Sequence, residues 1–412
     1  MNELKQKIAA FLEWYERRKL FLIEETEENT DKNSPRRILG NRGYALILVL
    51  LVTTLLISLA ANFIVETQTT IGYIKKFDER LKTSYIAKSG VELATYLLEA
   101  DKLGAGQFLT GRASDKNIDS YEDIWALEFP PLPLDDGTVK IKISDENSKI
   151  NINAFANEFT EQTRYYYMAQ LFFINMGLSM DFADIMHDWV DIDDARLPYG
   201  AESGDYYTTL TPPYTAKNRA MDSIDELLML KGITPEIFYG LGGGNSGIEK
   251  NLVPHNEGNT SIDAGALADL AKGGGIAGER RSVDEIQIGK EKNRALAEYF
   301  RVYGDSKDFL HDYNKININT ASYRVISALT ENMTDDKVSE FIRRRLIKPY
   351  SSVDEIKDIV GNDSEFEILR KYITVSSFIF KIKVTAVINS TETKTTVYYN
   401  RNTKKLLYWC EE

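Results

Sequence analysis

The residues with the most chemistry to offer stand in one stretch, DWVDIDDARLPYGAESGDYY, Asp188–Tyr207. Counting Asp184 just before it, seven acidic side chains fall close together. Carboxylates so crowded repel one another until protons or cations neutralise them. Asp191, Asp193 and Asp194 have the i, i+2, i+3 spacing that lets oxygens from one turn converge on a hard cation, and Glu202 and Asp205 can return to it after the Pro198–Gly200 bend. An all-oxygen set suits calcium better than magnesium, because calcium takes about 6–8 ligands in loose geometry. The stretch matches neither the EF-hand spacing D-x-[DN]-x-[DN]-G nor its bidentate glutamate at position twelve. Spacing alone therefore leaves two readings open, a calcium site and a solvated acidic loop.

Other chemistry has less support. A clustered loop is a poor acid–base pair, since glycosidase-type work needs two carboxylates at a defined separation. His187, His255 and His311 are dispersed, and no G-x-S-x-G nucleophile motif occurs. His187, next to Asp188, reads as a surface histidine ahead of a group that orients a ligand. The lone Cys410 excludes an internal disulfide, and one thiol with three histidines argues against a Cys/His zinc site. The chain reads as non-catalytic. The glycine-rich stretches Gly240–Gly247 and Lys272–Glu279 lack the lysine-serine or preceding strand of a phosphate loop and read as linkers.

Nucleic acid is the other ligand class to weigh. KININTAS, Lys315–Ser322, resembles the opening of a helix-hairpin-helix DNA-binding module, and KININAFAN, Lys149–Asn157, nearly repeats it. Such modules hold phosphate on backbone N–H groups of a glycine-rich turn. The turn expected here, Thr330–Lys337, has no glycine and carries Glu331, Asp335 and Asp336. Arg343, Arg344 and Arg345 leave a weak basic patch, but a net charge of -12 opposes binding to a polyanion. KININ reads instead as the hinge where extended chain leads into each helical unit, its asparagines tied by side-chain to backbone hydrogen bonds. A membrane-anchored DNA-uptake protein with this module is the alternative reading of the chain.

The elements that must position the acidic loop begin with Tyr44–Val65, twenty-two residues without charge or proline. That length spans a bilayer as a helix. Arg36, Arg37 and Arg42 precede it, which places the N-terminus in the cytoplasm and the bulk outside. Ile74, Phe77, Leu81 and Tyr85, then Val91, Ala94 and Leu98, continue at helical spacing. One helix from Tyr44 to about Glu99 would run about 80 Å and pack its outer half on a globular head. Alternation at Val139, Ile141 and Ile143, and again at Phe380, Ile382, Val384 and Ala386, predicts half-buried strands, and two more flank Asn400–Thr403. Between them lies helical sequence with internal repeats: Ser223–Ile233, Ser352–Asn362 and Ser282–Lys290 each open on a serine N-cap with an acidic pair behind it.

The arrangement resembles a type IV pilin-like subunit. In that family an aspartyl prepilin peptidase cuts after a glycine that ends a basic leader, here between Gly43 and Tyr44 in RG/YALIL. Most pilins carry glutamate at the fifth mature position, where this chain has Leu48. The K-type minor pseudopilin of the type II secretion system shows that departure. It also carries DWxDxDxxxxxxGAExxxYY, matched here at Asp188, Trp189, Asp191, Asp193, Gly200, Ala201, Glu202, Tyr206 and Tyr207, with PPY-x-x-x-NR following at Pro212–Arg219. The resemblance implies an α+β fold: a long pilin-like helix and a small antiparallel sheet, interrupted by a large helical insertion of helix-hairpin-helix (SAM-like) type. It divides the chain into a cytoplasmic leader (1–43), the N-terminal helix (44–100), the first part of the head (101–152), an insertion with two related modules and a flexible 241–311 segment (153–375), and C-terminal head strands (376–412).

It further implies a structural calcium ion on Asp191, Asp193, Glu202 and Asp205, with Asp194 a weaker ligand and Asp188 free to orient a neighbour. The implied partners are the I- and J-type minor pseudopilins and prepilin peptidase. The implied location is a single pass of a Gram-negative inner membrane with the bulk periplasmic, at a pseudopilus tip, with no nucleic acid. The leader has nine basic and eight acidic residues, so removing it moves the net charge only from -12 to -13. It is long for the family: either it has a cytoplasmic role or the true start codon lies downstream.

Overall fold

The apolar run and the amphipathic stretch behind it form one helix, α1 (Arg42–Lys102), in a computed structural model that describes residues 42–104, 115–155, 163–240, 295–304 and 312–412. The leader through Asn41 lies outside the described residues, as do the Ser282–Lys290 copy, the Lys272–Glu279 stretch and all of the Gly240–Gly247 stretch but Gly240. Two compact units divide the chain, Met1–Tyr73 and Ile74–Glu412. In the first, the described part of α1 is long and apolar enough to cross a membrane, and its Leu, Ile, Val and Phe side chains are exposed.

The described strands of the second unit are β1 (Leu132–Leu134), β2 (Gly137–Asp145), β3 (Ile150–Asn151), β4 (Phe300–Arg301), β5 (Ile316–Asn317), β6 (Ile373–Thr374), β7 (Ile379–Ile388), β8 (Thr391–Asn400) and β9 (Lys405–Glu411). Five of them make an antiparallel sheet in the order β1-β2-β7-β8-β9. Alternation sets the register, with Ile141 opposite Val384 and Ile143 opposite Ile382 on one face. That face and Val139 bury against Ile86, Ala87, Val91, Ala94 and Leu98 of α1. Each fully buried aliphatic side chain stabilises by about 1.5–3 kcal/mol, so this contact is the head's main adhesive. It is close: a Cβ on Gly90 would stand 2.7 Å from a Val384 methyl and 2.8 Å from one of Val139. Thr83 Oγ1 meets Thr393 Oγ1 at 2.7 Å, and Glu79 accepts from Asn389 at 2.8 Å and Thr391 at 3.0 Å.

One expectation for α1 needs correction. Ile74, Phe77, Leu81 and Tyr85 do not pack on the head; they are 62%, 71%, 46% and 61% exposed. The buried stripe runs through Glu79, Thr83, Ile86, Ala87, Val91, Ala94 and Leu98, so the four predicted residues lie on another side of the same helix.

The insertion leaves the sheet at the end of β2 and returns at the start of β7, which are paired neighbours. It holds two related modules. The first runs through β3, α2 (Thr163–Asn175), α3 (Asp181–Val190), a turn at Ile224–Met229 and β4, and closes by pairing β3 with β4 in parallel. The second runs through β5, a turn at Tyr323–Ser327, α4 (Asp335–Ile347), a turn at Val353–Ile356 and β6, and closes with β5 parallel to β6. The two KININ repeats are β3 and β5 with their exits. Asn153 accepts from Met221 N at 2.7 Å and donates to Met221 O at 2.9 Å. Asn319 does the same to Tyr350, at 2.8 and 2.9 Å. Two residues after each clamped residue, Ser223 and Ser352 cap a turn, with Glu226 and Glu355 completing capping boxes. Rings of Phe172, Phe173, Tyr299 and Phe300 fill the first module's core, with centroids 5.0–5.6 Å apart.

Candidate cation site

Helix α3 carries Asp184, His187 and Asp188 and ends at Val190, whereupon the chain turns extended at Asp191. The amphipathic register of α3 buries Ile185, Met186 and Trp189 in the first module and takes Asp184 and Asp188 in with them. Trp189 packs edge-on to Tyr207, 5.1 Å away, and donates to Glu226 at 3.3 Å. Tyr214 lies tilted against Tyr207 at 5.3 Å and donates to Met229 O at 2.7 Å. Lys217 pairs with Glu226 at 2.6 Å and with Asp222 at 2.7 Å. The loop is thus fastened to the capped turn at Ile224–Met229 by aromatic and ionic contacts, which is what the PPY-x-x-x-NR segment does here.

The acidic residues divide into an inner and an outer set. Asp188, Asp191 and Glu202 are buried. Asp188 accepts from Leu197 N with both oxygens, at 3.2 Å each. Gly200 lies against it so closely that a Cβ there would come within 1.8 Å of Asp188 Oδ2. Asp184 accepts from Tyr166 OH and, at 3.1 Å, from Tyr199 N. Asp188 and Asp184 therefore fasten the loop at its base. Asp191 Oδ1 and Glu202 Oε1 are buried without a hydrogen-bond partner among the described residues. A buried carboxylate oxygen left bare is costly, and two of them in one acidic loop are what a hard cation would satisfy.

The outer set is occupied. Asp193 is exposed and accepts from Ala195 N at 2.7 Å. Asp194 is exposed and accepts from Asn218 Nδ2 at 2.8 Å. Asp205 accepts from Glu202 N at 2.9 Å and pairs with Arg196 at 3.0 Å. Of the five residues named from the sequence, the structure brings Asp191 and Glu202 inward and leaves Asp193, Asp194 and Asp205 at the rim with partners of their own. His187 is not a plain surface residue: it is half-buried, with Nδ1 3.1 Å from Asp191 Oδ2 at ion-pair distance but without hydrogen-bond alignment.

The electrostatics agree with the geometry. Burial, then repulsion from Asp188, Asp191 and Asp194, pushes Glu202 up to about 7. Burial outweighs the Leu197 N–H to push Asp188 up to about 6, with Asp191 adding to the shift. At His187, burial works against the charge, but Asp191, Asp188 and Asp184 outweigh it and hold the imidazole above its usual range. Among the described residues, His187, Asp188 and Asp191 each bring one donor atom within 4.8 Å of the others; with Glu202 buried beside them the surplus negative charge suits a divalent cation such as calcium, which Asp191 and Glu202, with their bare oxygens, would hold.

The basic patch of the second module is committed elsewhere. Arg343 and Arg344 pair with Glu340 at 2.8 and 2.7 Å, and Arg344 also with Asp358 at 2.8 Å. Arg345 turns inward and donates to Ile318 O and Ala321 O at 2.9 and 2.7 Å. Its role is to hold the chain after the second KININ repeat.

Residues 148–242 match a family model described as type II secretion system (T2SS), protein K, and residues 316–376 match a second model of the same description. The first match covers the first module short of its closing strand β4, and the second covers the second module. The type II secretion system protein K of Aeromonas hydrophila is 26% identical over 210 residues, 48% of this chain and 60% of that one. A putative type II secretion system protein K of Escherichia coli K12 is 28% identical over 209 residues, again 48% and 60%. The Pseudomonas aeruginosa protein K is 26% identical over 198 residues, 47% and 58%. The chain thus spans about three-fifths of the length of the curated relatives it matches. Among solved structures, the GspK-GspI-GspJ complex of the enterotoxigenic Escherichia coli type 2 secretion system has a chain that aligns with TM-score 0.56 at 14% identity, over 82% of this chain and 98% of that chain. That likeness shows a shared α+β fold.

Proposed function

We propose that this chain, whose two helical modules belong to the type II secretion system protein K family, is a minor pseudopilin that caps the tip of a periplasmic pseudopilus and supports export of folded proteins across the outer membrane. The observation that carries the reading is the joining, in one chain, of both protein K modules to a small pilin-like head and an N-terminal helix apolar enough to cross a membrane. Its role is structural and non-catalytic. The helix anchors it once in the inner membrane of a Gram-negative cell, and prepilin peptidase cuts between Gly43 and Tyr44.

Its partners are the I- and J-type minor pseudopilins. The exposed stripe Ile74, Phe77, Leu81 and Tyr85 supports this, because an apolar helix face turned away from its own head suits the flank of a neighbouring helix. Leu48 supports a terminal position: without a glutamate there, the apolar helix buries no charge that a neighbour above must neutralise. Calcium, when bound, supplies a divalent charge that lets the acidic loop close. Asp191 and Glu202 would hold it, and Asp188 and Asp184 keep the loop ends in place for them. N-terminal sequencing of the membrane form tests the reading: the mature chain should begin at Tyr44. An intact Met1, or a cut away from Gly43, would overturn it.

A further inference from the structure

A second acidic cluster lies in the head, outside the modules. Asp101 sits at the end of α1, and Asp119 and Asp123 on the segment before β1. All three are more than nine-tenths buried. One oxygen from each lies within 4.8 Å of the others. Ligands at about 2.3–2.6 Å from one calcium ion stand up to about 5 Å apart, so the three can share a single ion.

Their hydrogen bonding is incomplete. Asp119 Oδ2 accepts from Ser377 N at 2.7 Å, and Asp123 Oδ2 from Ser120 N at 2.7 Å. Asp101 Oδ1 and Asp119 Oδ1 are buried and have no hydrogen-bond partner among the described residues. The buried cation among them is Arg401, whose Nη2 is 2.6 Å from Asp119 Oδ2 and whose Nη1 is 3.6 Å from Asp101 Oδ2. Lys102 adds a weaker positive charge at Asp101, and Asp145 adds a negative one beside Asp119. Three carboxylates against one guanidinium leave a buried excess of negative charge, which interiors do not tolerate unpaired.

We propose that Asp101, Asp119 and Asp123 form a calcium site in the head, separate from the acidic loop, that ties the end of α1 to the segment leading into the sheet. Calcium fits better than magnesium, which requires near-ideal octahedral geometry and keeps its waters. With no cation, burial and mutual repulsion push Asp101 up to about 6 and Asp123 up to about 8, so protons are the competing occupants.

Each cluster has a tryptophan close in sequence, Trp125 two residues after Asp123 and Trp189 between Asp188 and Asp191, so terbium luminescence sensitised by tryptophan can address them one at a time. The full chain in detergent, loaded with terbium, should lose one emission component in Trp125→Phe and keep it in Trp189→Phe. Calcium should displace it. In the Asp191→Asn/Glu202→Gln background, dialysis should still find about one calcium per chain, weakened at least roughly tenfold by adding Asp123→Asn. No Trp125-dependent emission, or no calcium in that background at millimolar concentration, overturns the head site. Loss of only the Trp189-dependent emission would strike the loop reading and leave the head site standing. If Asp123→Asn does not fold, the Trp125→Phe comparison decides.

Discussion

Replacing Gly200 by alanine should unseat Asp188 and with it the base of the acidic loop. Gly200 does not have a positive φ, so the demand there is for space and not for conformation. The added Cβ would lie 1.8 Å from Asp188 Oδ2 and 2.5 Å from its Cγ. Asp188 is fully buried, so the carboxylate cannot swing into solvent without moving α3 or the loop. Displacing it removes the Leu197 N–H bond and the one from the Ala201 backbone. Hydrogen bonds to a charged group contribute about 1.5–3 kcal/mol each, so the loss of two should be about 3–6 kcal/mol. At about 2 °C per kcal/mol for a chain of this size, Tm should fall by about 6–12 °C. The assay is thermal unfolding of the full chain in detergent at pH 7.5, with Gly204→Ala as control. A Cβ at Gly204 meets nothing within 4 Å, so that variant should stay within about 0.5 kcal/mol of the parent. If both variants melt within about 1 °C of each other, the reasoning about Asp188 is refuted.

Asn319→Ala should cost about 2–4 kcal/mol, because it strips partners from both the N–H and the C=O of buried Tyr350; hydrogen exchange at the Tyr350 amide should accelerate, and an unchanged rate would contradict the clamp. A chelator should lower Tm at pH 7.5, and Asp191→Asn/Glu202→Gln should reduce that response to the part the head site contributes; no chelator effect on the parent chain would remove the calcium claim. The pH dependence has a definite sign. Asp188 and Glu202 are raised in the fold, so in chelator their contribution is full below the unfolded values near 4 and is lost as pH rises through about 6 and about 7. Bound calcium would hold both ionised, so on the proposed reading the chelator effect should be large at pH 7.5 and small at pH 5, where a large one would contradict it. Phe77→Asp with Leu81→Asp should leave Tm unchanged, since both side chains are exposed, while co-purification with the proposed I- and J-type partners drops; a fallen Tm would show that the stripe packs on the head after all.

Much of this was legible because it is local. The alternation at Val139, Ile141 and Ile143 became β2, and the serine caps became two capping boxes, since both depend on residues a few positions apart. The repeated KININ and serine-cap segments marked two modules, but not that Asn153 reaches Met221 and Asn319 reaches Tyr350, which only the folded module brings within range. The helix face was misjudged for a related reason. Two apolar stripes compete on the outer part of α1, and the sheet chooses the one with Gly90 and Ala87, where backbones can approach. Within the acidic loop, composition could not tell Asp191, left with a bare oxygen, from Asp205, paired with Arg196. The Asp101, Asp119 and Asp123 cluster carried no spacing signal, because it is completed by Arg401, far along the chain.

The insertion departs from β2 and returns to β7, so these two strands are in effect one hairpin whose loop has grown into two modules. Both ends of the modules therefore load the sheet at one end of the same strand pair and in the same direction. A push on the modules along the strands moves β2 and β7 together and does not slide one past the other. The sliding is deferred to the β7–β8 ladder, which is ten residue pairs long and resists as a whole, because its hydrogen bonds would have to break together. The junction is stiffened by Asn147, which accepts from Phe378 N and Ile379 N at 3.1 Å each and donates to Lys315 O at 2.9 Å. In mechanical terms the head is a shear joint, suited to passing thrust into the two modules without unzipping.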